Sequence, residues 1–175
     1  MAKYKSFETE RLLLRPSALS DAPFVFKLLN TPKWIKNIGD RNVQSVADAA
    51  QYIQDKMLPQ LERLGFGNYF VIRKLDNVIM GSCGLYDRDG LEGVDIGFAF
   101  LPAYEGKGYG FESASRIMKA GIEEFGVTKI SAITIEENIA SQKLIEKLGL
   151  TFQKMVNLPE DDVELMLYSL EVVVD

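Results

Sequence analysis

Three glycines spaced by two, in Gly106-Lys107-Gly108-Tyr109-Gly110, are the residues of this chain whose type and spacing point most directly to chemistry. Glycine reaches positive φ without steric penalty and lets a ligand approach the backbone closely. Successive N–H groups in such a turn point outward, and a helix starting at its end adds unpaired N–H groups of its own. Together they make a receptor for a phosphate or diphosphate. The turn runs into Phe111 and Glu112 rather than Lys-Ser/Thr, so it is not a nucleoside triphosphate loop, and its spacing is not GxGxxG. A tight strand-to-helix connection without a ligand would use the same residues.

Other reactive side chains are scarce. The 175 residues contain no histidine, which removes His-based triads and His-containing metal sites. The single cysteine, Cys83, lies in an apolar run and reads as a buried, inert thiol. One cysteine forms no internal disulfide and suits a reducing, cytoplasmic compartment; no metal is expected. The formal net charge is −5, from 25 acidic and 20 basic residues, which argues against a nucleic-acid binder. No apolar run suggests a secretory leader or a membrane span.

The elements that position the turn follow from periodicity. Val94, Ile96, Phe98 and Phe100 alternate with Asp95, Gly97, Ala99 and Leu101, a strand ending at Pro102. Phe111, Ala114, Met118, Ile122 and Phe125 recur at helical spacing, and Gly126 stops the helix. Lys129–Ile135 is a strand, parallel to the central one because a helix crosses over between them. Asn138–Leu148 is a second crossover helix with Gly149 beyond its last turn. Upstream, strands are expected at Glu10–Pro16, Tyr69–Arg73 and Val78–Tyr86, with a short helix after Pro23 ending near Leu29. A helix carries Val43, Val46, Ala47, Ala50, Ile53, Met57 and Leu61 on one face, kinked or divided at Pro59. Phe152–Val156 and Glu164–Leu170 are the last strands. Lys33–Arg41 has no clear period and reads as a loop; its Trp34 either covers a substrate mouth or anchors the loop.

Strand, Pro102-Ala103-Tyr104-Glu105-Gly106-Lys107-Gly108-Tyr109-Gly110, helix, strand, then Asn138-Ile139-Ala140-Ser141 and Glu146-Lys147-Leu148-Gly149-Leu150, resembles the GNAT superfamily of N-acetyltransferases. The opening Thr9-Glu10-Arg11-Leu12-Leu13-Leu14-Arg15 is similar to the RimJ/RimL type, which acetylates N-termini of ribosomal proteins. The resemblance covers nearly the whole chain. It implies an α/β fold in a single domain, 1–175, with a mixed, mostly antiparallel sheet of about seven strands. That sheet is splayed at a central parallel pair, where the pantetheine arm enters, and flanked by about four helices.

It further implies acetyl-CoA as donor and a primary amine as acceptor, attacking the thioester directly. A protein N-terminal α-amine is the first expectation; polyamine or antibiotic-like amines, or a noncatalytic acyl-CoA-binding module, are the alternatives. The diphosphate falls to Gly106, Lys107, Gly108, Tyr109, Gly110 and Phe111. Where the family has Gln or Arg, this chain has Glu105, whose carboxylate should point away from phosphate. Backbone of Phe98, Ala99 and Phe100 lines the acyl arm and offers the thioester carbonyl a donor. Gly97 fits the arm, a bulge or close packing. Ser141 stands in for the usual tyrosine acid, or serves as a first-turn serine. Asn138 holds the pantetheine amide, caps the helix, or both. Asp95 is the candidate base, with Glu92 and Asp87 as rivals. Trp34 and Tyr86 are the candidate acceptor-binding aromatics. Monomer and homodimer are both open.

Overall fold

The computed structural model describes residues 3–173. In chain order they form β1 (Phe7–Glu8), β2 (Leu12–Pro16), α1 (Ala22–Leu29), α2 (Pro32–Asn37) and α3 (Val46–Tyr52). A π-helical turn (Ile53–Met57) leads into α4 (Leu58–Leu64), followed by β3 (Asn68–Arg73), β4 (Val78–Tyr86), β5 (Val94–Phe100) and α5 (Tyr109–Phe125). The chain ends with β6 (Lys129–Thr134), α6 (Ile139–Lys147), β7 (Thr151–Val156) and β8 (Leu165–Glu171). The eight strands make one open sheet in the order β1-β2-β3-β4-β5-β6-β8-β7. Only β5 and β6 pair in parallel. The mixed α/β sheet expected from the sequence is present, with the two-residue β1 added at one edge.

Alternation along the strands sends side chains to two cores. Leu12, Leu14, Tyr69, Val71, Leu85 and Ile96 pack beneath Ala114 and Ile117 of α5. On the other face Phe70 and Leu101 meet Val25, Leu28 and Leu29 of α1 with Ala49 and Ile53. Each such buried aliphatic contributes about 1.5–3 kcal/mol relative to exposure. Helices therefore cover both faces, and β5 is read from both: Phe98 and Phe100 pack toward α5, Ala99 toward the α1 side.

Two expectations need correction. Lys33–Arg41 is not all loop, because Pro32–Asn37 forms α2. Thr31 caps it by accepting from the Trp34 N–H, and Pro32 sits in its first turn. The helix expected from Val43 begins at Val46, where Ser45 accepts from the Asp48 N–H. Its buried residues are Ala49, Ile53 and Leu61, whereas Val46 and Ala47 are exposed. Pro59 acts on it as expected, through a specific device. The N–H of Leu58 donates to Ile53 O, a π turn, and Pro59 falls in the first turn of α4, where its missing N–H costs nothing.

Candidate active site

The parallel pair is short. Val94 faces Ile130 and Asp95 faces Ser131, and no later residue of β5 has a partner in β6. Along β5, burial falls at the same point: Val94, Asp95 and Ile96 are buried, and Gly97 to Phe100 are half-buried in the middle of a sheet. Leu101 N–H donates to Met80 O on the β4 side. Counting back through the continuous β4–β5 register, the Ala99 and Gly97 amides also face β4. Those of Phe98 and Phe100 therefore face the gap. Of the three residues expected to line an acyl arm, Phe98 and Phe100 present free backbone to it, and Ala99 does not. Gly97 marks no bulge. It faces Gly84, and a Cβ there would stand 2.8 Å from Cε2 of Tyr86, so the glycine makes room for that ring.

The glycine-rich turn closes the wide end of the gap. Gly106 and Gly108 have φ of 71° and 82°, which explains the glycine at each. Both are exposed, as is Lys107, and α5 starts at the next residue. The amides of residues 106–108 meet no backbone acceptor among the described residues, and those of Tyr109, Gly110 and Phe111 are the first of a helix. Six amides are thus free to meet an anion at the positive end of a 17-residue helix. Glu105 is turned away and pairs with Lys33 of α2. Unpaired amides at a helix start suit a phosphate-bearing ligand, and the outward Phe98 and Phe100 amides suit an extended polar chain lying alongside β5.

Helix α6 borders the same gap. Leu144 lies against Gly110, where a Cβ would approach it to 3.0 Å. Ser141, one turn earlier, shares that side of the helix. Asn138 is the N-cap: its Oδ1 accepts from the Ser141 N–H at 3.2 Å. The Ser141 hydroxyl has no partner among the described residues.

On the opposite side of the sheet, Asp95 is 2% exposed and its Oδ1 accepts from Arg88 Nε at 2.8 Å. Burial pushes its carboxyl up from 3.8 to about 6, with Arg88 acting against that rise. The Arg88 guanidinium also lies over the Tyr86 ring, 5.1 Å from its centre. Tyr86 donates its hydroxyl to Asn68 Oδ1 at 2.6 Å, and burial raises its pKa so that it keeps its proton. The rival carboxylates are engaged on the surface, Glu92 by Lys129 and Asp87 by Arg63. Trp34 packs on the α1 core, its indole N–H buried without an acceptor among the described residues. Cys83 is buried and pushed up to about 12 by desolvation, which leaves it a poor nucleophile. Among the described residues no group of three or more His, Cys, Asp or Glu side chains could hold a metal ion, and no helix is long and apolar enough to cross a membrane.

Sequence reasoning missed Arg88 and Lys33. Both sit in stretches without periodicity; Arg88 meets Asp95 across the β4–β5 hairpin, and Lys33 meets Glu105 through tertiary contact alone.

Residues 11–151 match the family model described as Acetyltransferase (GNAT) domain. The N-acetyltransferase p20 of Bacillus licheniformis is 31% identical over 149 residues, 83% of this chain and 81% of that protein. Among solved structures, RimL, a ribosomal alpha-N-protein acetyltransferase in complex with coenzyme A, superposes with a TM-score of 0.81 at 17% identity, covering 96% of this chain and 98% of that one. The microcin self-immunity acetyltransferase MccE, in complex with acetyl-CoA and AMP, gives 0.77 at 19% identity over 94% of each chain.

Proposed function

The chain belongs to the GNAT family of acetyl-CoA-dependent N-acetyltransferases, and from that premise we propose that it acetylates a protein N-terminal α-amine in the RimJ/RimL manner. The observation that carries the reading is the loss of β5–β6 register immediately after Asp95 and Ser131, beside a glycine turn with unpaired amides. We take residues 1–175 as one acyltransferase domain working in the cytoplasm. The N-terminal preference is supported by the Thr9–Arg15 opening and by the likeness in fold to RimL.

Amides from Gly106 to Phe111 hold the diphosphate, Asn138 receives the pantetheine amide, and acetyl-CoA supplies the activated acyl group. The Phe98 or Phe100 N–H donates to the thioester oxygen, where negative charge grows on attack. The acceptor reaches the gap from the face carrying Asp95, Tyr86 and, on α2, Trp34. Its ammonium gives up a proton to the Asp95 carboxylate at Oδ2, the oxygen that Arg88 Nε does not hold. An α-amine, with a pKa of about 8, demands less of that base than lysine. As the C–S bond of the tetrahedral intermediate breaks, the Ser141 hydroxyl passes its proton to the departing thiolate and is reprotonated, through water, by the second proton that the newly acylated nitrogen sheds.

The test has two stages. Acetyl-CoA is titrated calorimetrically, and thiol release is then followed with N-terminal peptides, polyamines and aminoglycosides. Turnover confined to peptides with a free α-amine is expected. Turnover only with small amines would replace the acceptor class. Binding without turnover would leave a carrier-binding module. Ser141→Ala should lose turnover more than acetyl-CoA affinity; unchanged turnover removes Ser141 from the acid role.

A further inference from the structure

The opening Thr9–Arg15 contains a contact network that the reaction scheme does not use. Arg11 Nη1 donates to the Lys107 carbonyl at 3.1 Å, inside the glycine turn. Its Nε donates to Glu112 Oε2 at 2.7 Å, and its guanidinium lies 4.4 Å from the centre of the Tyr109 ring. Glu112 Oε1 accepts from the Arg11 N–H at 3.0 Å and from the Thr9 hydroxyl at 2.6 Å. One side chain therefore touches the turn, the first residue of α5 and a carboxylate of its first turn.

We propose that Arg11 is a positioning residue for the acetyl-CoA site: it sets the orientation of the Lys107–Gly108 peptide and keeps the Glu112 carboxylate away from the bound diphosphate. Peptide geometry supplies the first half. The carbonyl of Lys107 and the N–H of Gly108 point in opposite directions across one planar unit. Anchoring that carbonyl on Arg11 turns the Gly108 amide outward, toward an anion at the helix start. Gly108 at φ 82° has no side chain to limit rotation of this peptide, so an external anchor has something to restrain. Electrostatics supplies the second half. A carboxylate in the first turn suits a bare helix N-terminus, but it repels a diphosphate there. Glu112 is held elsewhere by both oxygens; burial opposes its charged form, yet Thr9 and Arg11 outweigh that and keep its carboxyl below the usual range.

The inference rests on the diphosphate lying at this turn, and the experiment separates the two. Arg11→Gln, Arg11→Lys and Thr9→Val are compared with the unaltered protein by calorimetry with coenzyme A and with pantetheine, which lacks the diphosphate. The amide shift of Gly108 on adding coenzyme A is followed by NMR. Arg11→Gln should weaken coenzyme A binding roughly tenfold, the effect of losing one charge-assisted hydrogen bond, and leave pantetheine binding unchanged. Arg11→Lys should recover part of the loss, since an ammonium reaches one partner of the fork but not both. Thr9→Val removes one bond to Glu112 and loosens the docking of the N-terminal strand without touching Lys107, so it should lower the melting temperature and weaken coenzyme A binding less than Arg11→Gln does. If Arg11→Gln and Thr9→Val lower stability alike and neither moves coenzyme A affinity, Arg11 is only a structural brace and the proposal fails. If the Gly108 amide of the unaltered protein ignores coenzyme A, the assignment of the turn fails first.

Discussion

Arg88 Nε and Asp95 Oδ1 stand 2.8 Å apart at the last paired residue before β5 and β6 separate. The pair sets a definite pH response. Burial raises the Asp95 carboxyl to about 6, and Arg88 pulls the other way. Below about pH 6 the base is protonated and kcat/KM should fall. Removing Arg88 leaves burial unopposed, so Arg88→Gln should move that acidic limb to higher pH, and Asp95→Asn should abolish the limb and cost about 10²-fold or more in rate. Rate profiles from pH 5 to 8 decide it. A limb that stays put in Arg88→Gln assigns the base elsewhere.

The same carboxyl links pH to stability. Its folded pKa lies above its ordinary value of 3.8, so the folded state holds the proton more tightly. The stabilisation is full below about pH 4 and is lost as pH rises through 6. Relative to Asp95→Asn, which does not titrate, the unaltered protein should lose on the order of 3 kcal/mol between pH 4 and 7. Urea midpoints of both proteins at the two pH values measure it. A difference independent of pH would mean that Arg88 fully compensates for burial.

Much of this site was legible because its parts are local. Gly106 and Gly108 announce their positive φ by residue type, and the alternation from Val94 to Phe100 continues through the point where the partner strand departs. The separation of β5 from β6 leaves no periodic mark in either strand, since each stays paired with its other neighbour. Arg88 and Lys33 were illegible for another reason: a charged residue in an aperiodic stretch reads as solvated until the fold brings a partner to it. The helical part of Lys33–Arg41 shows no period because its helix, Pro32–Asn37, is only six residues long, although Thr31 followed by Pro32 carries a start signal. Arg11 lay inside a recognised motif, but nothing local says that its guanidinium reaches across to residue 107.

Gly97 gives a packing prediction. Tyr86 lies over both Gly97 and Gly84, and an added Cβ would come within 2.8 and 2.9 Å of its ring atoms. The ring is tethered by its hydroxyl to Asn68 and cannot swing freely. Gly97→Ala should therefore cost about 1–3 kcal/mol by overpacking. Combined with Tyr86→Ala, the same change should cost much less, giving a coupling energy in the double-mutant cycle. Denaturant melts of the four proteins test this, and additive costs would show that the ring does not occupy the space over Gly97.

Glu105 offers the opposite case, a residue whose removal should help. Its carboxylate precedes the exposed glycines by one residue and, among the described residues, is neutralised by Lys33 alone. Both side chains retain solvent contact, so the pair itself adds at most about 1 kcal/mol to stability. Although turned toward Lys33, that carboxylate still places a negative charge next to the turn, and its repulsion of an arriving diphosphate is partial at protein-surface dielectric. Glu105→Gln should lower KM for acetyl-CoA about twofold to fivefold at low ionic strength, with kcat unchanged and the melting temperature nearly so. Screening by added salt should erase most of the gain. A KM that rises instead would mean that Lys33, freed from its partner, disturbs the turn more than the lost charge benefits it.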